Sequence, residues 1–423
     1  MAEPLADEDD DVEGRHGPPL SAFPAADKEF FDFVENGSVD DVRNFLDANR
    51  DFDIDVVNFQ GLNALYVAVQ EKNVGMVEFL LSRDIDVKDA GLHAVRVNEP
   101  RIVVMILDKL NAVTPAGEYV GVSGSSDFPD DTTPLVVAAQ SGHYEMVKLL
   151  LDRKHRIAKP HPPSCNCEEI CKPQRAAEDT LTLTKKRLNL YRAVANPAYI
   201  CQTSEDPFLV AFALTKELDR AASYESEFYY QYKSLSQEIR KFTGELIGFA
   251  RTASEVEAVL KRSNGVPGHS AKFFYPRLLL AMDCKQKEFV AHPNVQQVIS
   301  SHWVGDWYEW KIRSSFGKVF TVLPRVLLLP VVVAAILLAP NSGRSKRWQT
   351  PINKFLSFIA SYVVFLVFVF LQSNVDKTNQ TRGPPSSGYE AFLVIYVASY
   401  AWSAFRLCVI YGLRRYLRTY WNW

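Results

Sequence analysis

The sequence predicts an all-α protein in three parts: a stack of helical-hairpin repeats, a layer of linker helices, and helices that enter a membrane. Three observations carry this. Apolar residues recur four times in one register between residues 28 and 158, and a second apolar series steps by four and three from Phe228 to Phe249. Three long apolar blocks then lie near the C-terminus, Val319–Ala339, Phe355–Leu371 and Tyr389–Tyr411.

A chain of 423 residues suggests two or three domains. Its net charge of −3 gives no electrostatic case for a nucleic-acid partner. The opening MAEPLADEDDDVEGRHG is acidic and lacks an apolar h-region, so no signal peptide is expected, and residues 1–27 are expected to be disordered. Six cysteines in a chain whose large N-terminal part is expected to face a reducing cytosol do not read as a disulfide framework.

The repeats occupy residues 28–158. With a large apolar residue as origin, offsets +3, +12 and +15 give Phe30/Phe33/Val42/Phe45, Leu65/Ala68/Val77/Leu80, Leu92/Val95/Val104/Leu107 and Leu135/Ala138/Val147/Leu150. Gly37 and Gly142, at offset +7, supply the turn between paired helices. TTPLVVAAQSGHYEMVKLLL (Thr132–Leu151) is close to the ankyrin consensus, with Thr133-Pro134-Leu135 opening the first helix, and GLHAV (Gly91–Val95) is a poorer copy. The Gly-, Ser- and Asp-rich segment Asn111–Asp131 reads as an insertion loop between repeats three and four. Four ankyrin repeats are expected, with an unrelated helical bundle as the alternative. Such stacks bind through surfaces and rarely catalyse.

Residues 159–175 contain HPPSCNCEEIC, which places His161, Cys165, Cys167 and Cys171 within eleven residues. Imidazole nitrogen and thiolate sulfur suit tetrahedral zinc. Cys-x-Cys is tighter than the common CxxC knuckle, and His155 is a possible substitute ligand. Spacing alone leaves two readings open, a structural metal or free thiols in a loop. A catalytic metal is not suggested, since protein would fill all four positions.

Residues 176–318 read as linker and pre-membrane helices. Asp206 and Pro207 make an N-cap and N1 pair, followed by a stripe at Ala211, Leu214 and Leu218. Phe228, Tyr232, Leu235, Ile239, Phe242, Leu246 and Phe249 then form a heptad seam. Such a seam more often lies against a helix of the same domain than in a free coiled coil, yet its apolar face needs a partner surface and is the candidate assembly seam. Ser254 with Glu257 reads as a capping box, and NGVPG (Asn264–Gly268) ends the helix it starts. Trp303, Trp307 and Trp310 recur at helical spacing and read as an interfacial aromatic belt.

Each apolar block approaches the roughly 20 residues that a hydrocarbon span needs; a buried core helix is the alternative. Arg344, Lys346, Arg347 and Lys354 between blocks one and two, and Arg414, Arg415 and Arg418 after block three, are expected on the cytoplasmic side. Gln372–Gly388, with the glycosylation sequon at Asn379, is expected outside. Block one must then begin and end inside, and its Pro324, Arg325 and Pro330 favour a broken, re-entrant elbow over a straight span. Lys311, Arg313, Arg344, Lys346 and Arg347 can meet anionic lipid headgroups or serve only as positive-inside flanks. Arg406 should snorkel or pair.

Two segments carry a resemblance. YRAVANPAYICQTSEDPFLVAFALTKELDRAASYESEFYYQY (Tyr191–Tyr232) closely resembles the linker-helix signature of the TRPC-type transient receptor potential channels, and so does KEFVAHPNVQQVISSHW (Lys287–Trp303). The resemblance runs from about Phe30 to Trp423. It implies cytosolic ankyrin repeats, a linker layer, a pre-S1 elbow (residues 319–339), S1 (355–371) and S2 (389–411), the start of a voltage-sensor-like domain. Tyr420–Trp423 resembles the start of S3, and the pore domain is expected to be absent from these residues. Family members hold zinc through His-x3-Cys-x-Cys-x2-Cys. His161, Cys165 and Cys167 match, while the gap before Cys171 is one residue longer. Ala404 and Leu407 stand where some relatives hold calcium on S2, and Asn422 matches their S3 asparagine, so that regulatory site is not expected to form.

The resemblance therefore implies a plasma-membrane subunit or fragment, N-terminus cytoplasmic, of a receptor- or store-operated, calcium-permeable cation channel. Calcium would be the permeant ion, zinc a structural cofactor, and related subunits the partners in a homo- or hetero-tetramer. The chain is expected to supply assembly and gating parts without its own pore. The alternative is a non-conducting, membrane-anchored ankyrin protein or short form that modulates longer subunits. No phosphate loop, nucleophile elbow or open metal site suggests an enzyme. His93, His143 and His292 read as packing or capping groups.

Overall fold

Short polar side chains set many of the helix starts. Ser38, Asn63, Asn73, Asp179, Asn196 and Asp206 each accept a backbone N–H from the first turn that follows them, filling donors that a helix end leaves open. The structure, a computed structural model, describes residues 25–418 apart from 84, 126, 267, 269, 270, 272, 306, 308, 339–341, 343–347 and 375–387. Asn379, Arg344, Lys346, Arg347, Tyr420–Trp423 and residues 1–24 lie outside the described residues, as does the side chain of Lys311. Among those described there is no strand, only isolated bridges pairing Val57 with Asn63 and Val122 with Thr132. The chain divides into two units, Met1–Glu205 and Asp206–Trp423.

In the first unit, helices pair as α1 (Ala25–Asn36) with α2 (Val39–Ala48), α3 (Ala64–Gln70) with α4 (Val74–Ser82), α5 (Ala90–Val97) with α6 (Pro100–Val113), and α7 (Pro134–Ser141) with α8 (Tyr144–Asp152). The apolar register forms their common core, except that Phe33 and Val104 are only half-buried. Val103 takes the inner place in the third pair. The turn glycines are also only part of the device. Gly142 adopts the left-handed region at φ +72°, but Lys72 and Asn98 do so at +54° and +61° in the middle pairs. Asparagine tolerates that conformation better than most residues, lysine less so.

The insertion loop is docked on the stack. Ser125 donates to Asp89 at 2.6 Å, and Arg96 meets Asp127 at 3.3 Å and lies over the Phe128 ring. His93 is buried between the rings of Tyr66 and Phe128, a packing role as expected. Beyond α9 (Cys171–Ala177), helices α10 (Thr180–Val194) and α11 (Pro197–Thr203) extend the stack. Ala193 joins the repeat core, Gln140 donates to the Asn189 carbonyl at 2.8 Å, and Gln202 to that of Tyr144 at 2.7 Å.

The second unit opens with α12 (Pro207–Tyr224), capped by Asp206 with Pro207 at N1, as the sequence predicts. It packs on α13 (Tyr229–Gly248), which carries the seam. Here the structure departs from the expected stripe. Tyr232, Ile239 and Phe242 are buried, but their inward neighbours are Ser236, Thr243 and Ile247, while Leu235 and Leu246 are half-buried and Phe249 is 79% exposed. A straight helix drifts against a 3.5-residue repeat, so the buried face slides off the heptad positions. The seam is thus largely covered within the chain and does not require a partner surface along its length.

Polar groups lock this layer. Gln286, fully buried, donates to Thr215 at 3.0 Å and accepts from Thr243 at 3.2 Å. Asp219 on α12 accepts from Lys233 (2.8 Å), Ser236 (3.1 Å) and Arg240 (2.7 Å) on α13. Helix α14 (Ala253–Lys261) starts two residues earlier than the predicted box: Thr252 accepts from Glu255 N, and the Glu255 carboxylate accepts from Arg251 N. Helices α15 (Pro276–Asp283), α16 (Lys287–Ala291) and α17 (Pro293–Val304) complete the layer, with His292 accepting from Asn294 N as the cap of α17.

After α18 (Glu309–Ile312), block one begins in the last turn of α19 (Ser315–Phe320) and continues past Thr321 as one helix through both prolines, α20 (Val322–Leu338). The expected break at the prolines does not occur there; the turn falls at Thr321 instead. Pro324 sits in the first turn, where a missing N–H costs no hydrogen bond. At 17 residues the helix is about 26 Å long, shorter than the hydrocarbon core. Helices α21 (Pro351–Ser373) and α22 (Gly388–Tyr411), followed by α23 (Leu413–Arg418), hold the two segments long and apolar enough to cross a membrane, Pro351–Ser373 and Gly388–Ile410. They meet through aromatic pairs, Phe368 with Phe392 at 4.0 Å and Phe365 with Tyr396 at 4.5 Å.

Candidate metal centre

The four predicted donors come together. Prolines 160, 162 and 163 keep the approach to the site out of regular structure, and the Pro162 carbonyl accepts from Cys165 N at 2.8 Å, folding Cys165 back over His161. Cys167 Sγ accepts from Cys171 N at 3.3 Å where α9 begins. The extra residue before Cys171 is absorbed in the turn at Glu168–Ile170, so Cys171 is not displaced from the group. Arg175 ties the loop down by donating to the carbonyls of Pro163 (2.9 Å) and Cys165 (2.6 Å) and to Asn166 (3.2 Å).

His161 Nδ1 lies 3.4, 3.6 and 3.5 Å from the sulfurs of Cys165, Cys167 and Cys171. One ring nitrogen has a single lone pair or a single proton, so it cannot bond three thiols at once. The donor atoms all lie within 4.8 Å of one another. With metal–nitrogen and metal–sulfur bonds near 2.05 and 2.3 Å, a tetrahedral N–S edge is about 3.6 Å. The spacing observed is that of a closed NS3 cage, and the cluster can hold a metal ion. The Cys167 thiol is drawn down to about 6 by the backbone N–H groups of Cys171 and Ile170. Burial, then the neighbouring thiols, pushes Cys171 up to about 11. Crowded sulfurs resist a second negative charge, and a bound cation would remove that resistance.

His155 is not part of the cage. It is buried beside Glu118, whose carboxylate lies 3.6 Å from its Nε2. Glu118, itself 5% exposed, pairs with Arg153 at 2.8 Å, and Arg153 also holds Asp108. Burial, with the Arg153 charge adding to it, pushes the His155 imidazole below its ordinary value against the pull of Glu118. Cys201, Cys284 and Cys408 lie elsewhere as free thiols.

The remaining sites divide. Trp307 and Trp310 pack with ring centres 5.1 Å apart, Arg313 lies over Trp307 and Lys318 over Trp310. Lys318 was not among the predicted basic residues; its position four after Ser314 on a short helix was the available signal. Arg313 also donates to Thr321 at 2.7 Å, which occupies it at the turn before α20. Arg406 is exposed on α22. The clamp between Arg277 and Asp206 was also missed, although an arginine inside the apolar run PRLLLAM marks a cation that must find a buried partner.

Comparison with known proteins bears on the whole chain. The family model for "transient receptor ion channel II" matches residues 165–229, from the cage into the linker helices, and the ankyrin-repeat model matches residues 60–90 and 130–162. Short transient receptor potential channel 4 of Mus musculus is 32% identical over 409 residues, covering 94% of this chain and 42% of its own length. The transient-receptor-potential-like protein of Drosophila melanogaster is 30% identical over 94% of this chain and 38% of its own. Short transient receptor potential channel 2 of Rattus norvegicus is 35% identical over 79% of this chain and 31% of its own.

The chain belongs to the TRPC-type transient receptor potential family.

The chain spans less than half the length of these TRPC-type relatives. The segment matched by that family model contains Cys165, Cys167 and Cys171 of the cage, while His161 precedes it.

Proposed function

We propose that this protein contributes the assembly, anchoring and coupling parts of a receptor- or store-operated, calcium-permeable cation channel in the plasma membrane. The repeats and linker layer lie in the cytoplasm and join related subunits in a tetramer. Zinc fills the His161, Cys165, Cys167 and Cys171 cage; when bound, it cross-links the loop beneath the last repeat to α9. Aromatic and basic groups around Trp307 and Trp310 sit at the headgroup level. The observation that carries the reading is the continuity of the match: 94% of the chain, from repeats through membrane helices, aligns with a protein named as a channel. Conduction is assigned in this reading to other sequence or other subunits, since selectivity needs a ring of carbonyls or acidic side chains around an axis.

The test is co-expression with a full-length relative in cells lacking other family members. The protein should co-purify with the relative and alter its calcium current, while giving no current alone. A robust current from this chain by itself would overturn the division of labour. Failure to associate with any relative would remove the subunit reading and leave a membrane-anchored interaction protein.

A further inference from the structure

The sequence holds two Asn-Gly pairs, Asn36-Gly37 and Asn264-Gly265, and the structure treats them oppositely. Gly37 N donates to the Phe33 carbonyl at 3.0 Å at the end of α1, so its nitrogen is held in the helix. Gly265 lies in an exposed turn closed by Val266 N donating to the Ser263 carbonyl at 3.1 Å, and its own N–H has no hydrogen bond among the described residues. Its φ of +70° is the left-handed value that a glycine adopts freely. A Cβ there would also press on the Leu209 side chain at 2.5 Å, so the position favours the residue that shields the preceding asparagine least. A further contact is specific to this site: the backbone carbonyl of Asn264 accepts from Arg277 Nη2 at 3.3 Å.

We propose that Asn264 is a self-modifying site at which Arg277 directs the product to isoaspartate. The Gly265 nitrogen attacks Cγ of Asn264, forming an N–Cγ bond. The bond between Cγ and the amide nitrogen Nδ2 breaks, and the Gly265 proton leaves with that nitrogen as ammonia, closing a succinimide. Water then adds to one of the two ring carbonyls. Arg277 polarises the former backbone carbonyl of Asn264, so addition occurs there and breaks its bond to the Gly265 nitrogen. The backbone now runs through Cγ, and the old carbonyl becomes a free carboxylate. The balance is asparagine plus water giving isoaspartate plus ammonia, with no oxidant or reductant. The product carboxylate stands where Arg277 already donates, converting a carbonyl contact into a charged pair.

Incubation of the purified full-length protein at mildly alkaline pH, followed by peptide mapping that separates isoaspartyl from aspartyl products, tests this. Conversion at Asn264 should exceed that at Asn36 by roughly fivefold, the ratio that one net hydrogen bond on the attacking nitrogen supplies. The isoaspartyl-to-aspartyl ratio at 264 should exceed that of the free peptide RSNGVPG, and Arg277→Lys should return it toward the peptide value. Equal conversion at the two sites, or a product ratio in the folded protein no higher than in the peptide, would overturn the proposal. The comparison of folded protein with peptide holds even if the Arg277 variant fails to fold.

Discussion

Arg277 and Asp206 form a two-pronged pair, with Nη1–Oδ1 at 2.9 Å and Nη2–Oδ2 at 2.7 Å, although 71 positions separate them. The arginine is completely buried. Asp206 simultaneously caps α12 by accepting from Leu209 N, so one carboxylate starts a helix and neutralises a buried cation from α15. Removing one partner of a buried pair leaves the other charge uncompensated. Asp206→Asn should therefore destabilise the second unit by about 3 kcal/mol, read as a lowered denaturant midpoint. A loss below what one cap supplies would mean that Arg277 finds another partner.

The pair also predicts acid sensitivity. Burial works to raise the Asp206 carboxyl, but hydrogen bonds from Arg277 and Leu209 N–H, with the charges of Arg277 and Arg262, outweigh it and hold the group below its ordinary value. The folded value is depressed, so its stabilisation is present above the unfolded carboxylate range, near pH 4, and is lost as pH falls through the folded value. Unfolding of the wild type should steepen below about pH 4, and Asp206→Asn should flatten that segment.

Metal content is the third expectation. The purified protein should carry one zinc per molecule by elemental analysis, and Cys165→Ser and Cys167→Ser should each lose most of it. His155→Ala should keep its zinc, because His155 faces Glu118 and not the cage. Equal, near-zero zinc in wild type and variants would rule the cage out as a zinc site.

The seam gives a paired test of assembly. Ile239 is buried within its own chain and Phe249 is not. Ile239→Glu should unfold the linker layer, by more than about 3 kcal/mol on the scale of an unpaired buried charge. Phe249→Glu should leave circular dichroism unchanged and weaken only the association with relatives. If Phe249→Glu associates normally, the exposed end of α13 is not an assembly contact.

Topology can be read by cysteine labelling from outside the cell. A cysteine at Asn379 should react, while cysteines at Ser345 and Thr419 should not. Reaction at 345 would mean that the α20 segment crosses the membrane and that the elbow reading is wrong.

Much of this protein was determined by its sequence alone. The repeat register, the Asp206 cap, the apolar helices and the identity of the four cage donors all follow from neighbours a few residues apart. Helical periodicity, capping and hydropathy are short-range effects, and a one-dimensional pattern records them. Tertiary structure decided which pattern members turn inward. Ser236 and Thr243 are buried in place of Leu235 and Leu246 because Asp219 and Gln286 on facing elements offer them partners. It also turned His155 toward Glu118, pinned the insertion loop through Ser125 and Asp89, and joined Arg277 to Asp206. In each case the deciding partner lies 17 or more positions away. A buried polar group must be satisfied wherever a donor or acceptor can be brought to it, and only the packed faces determine where that is.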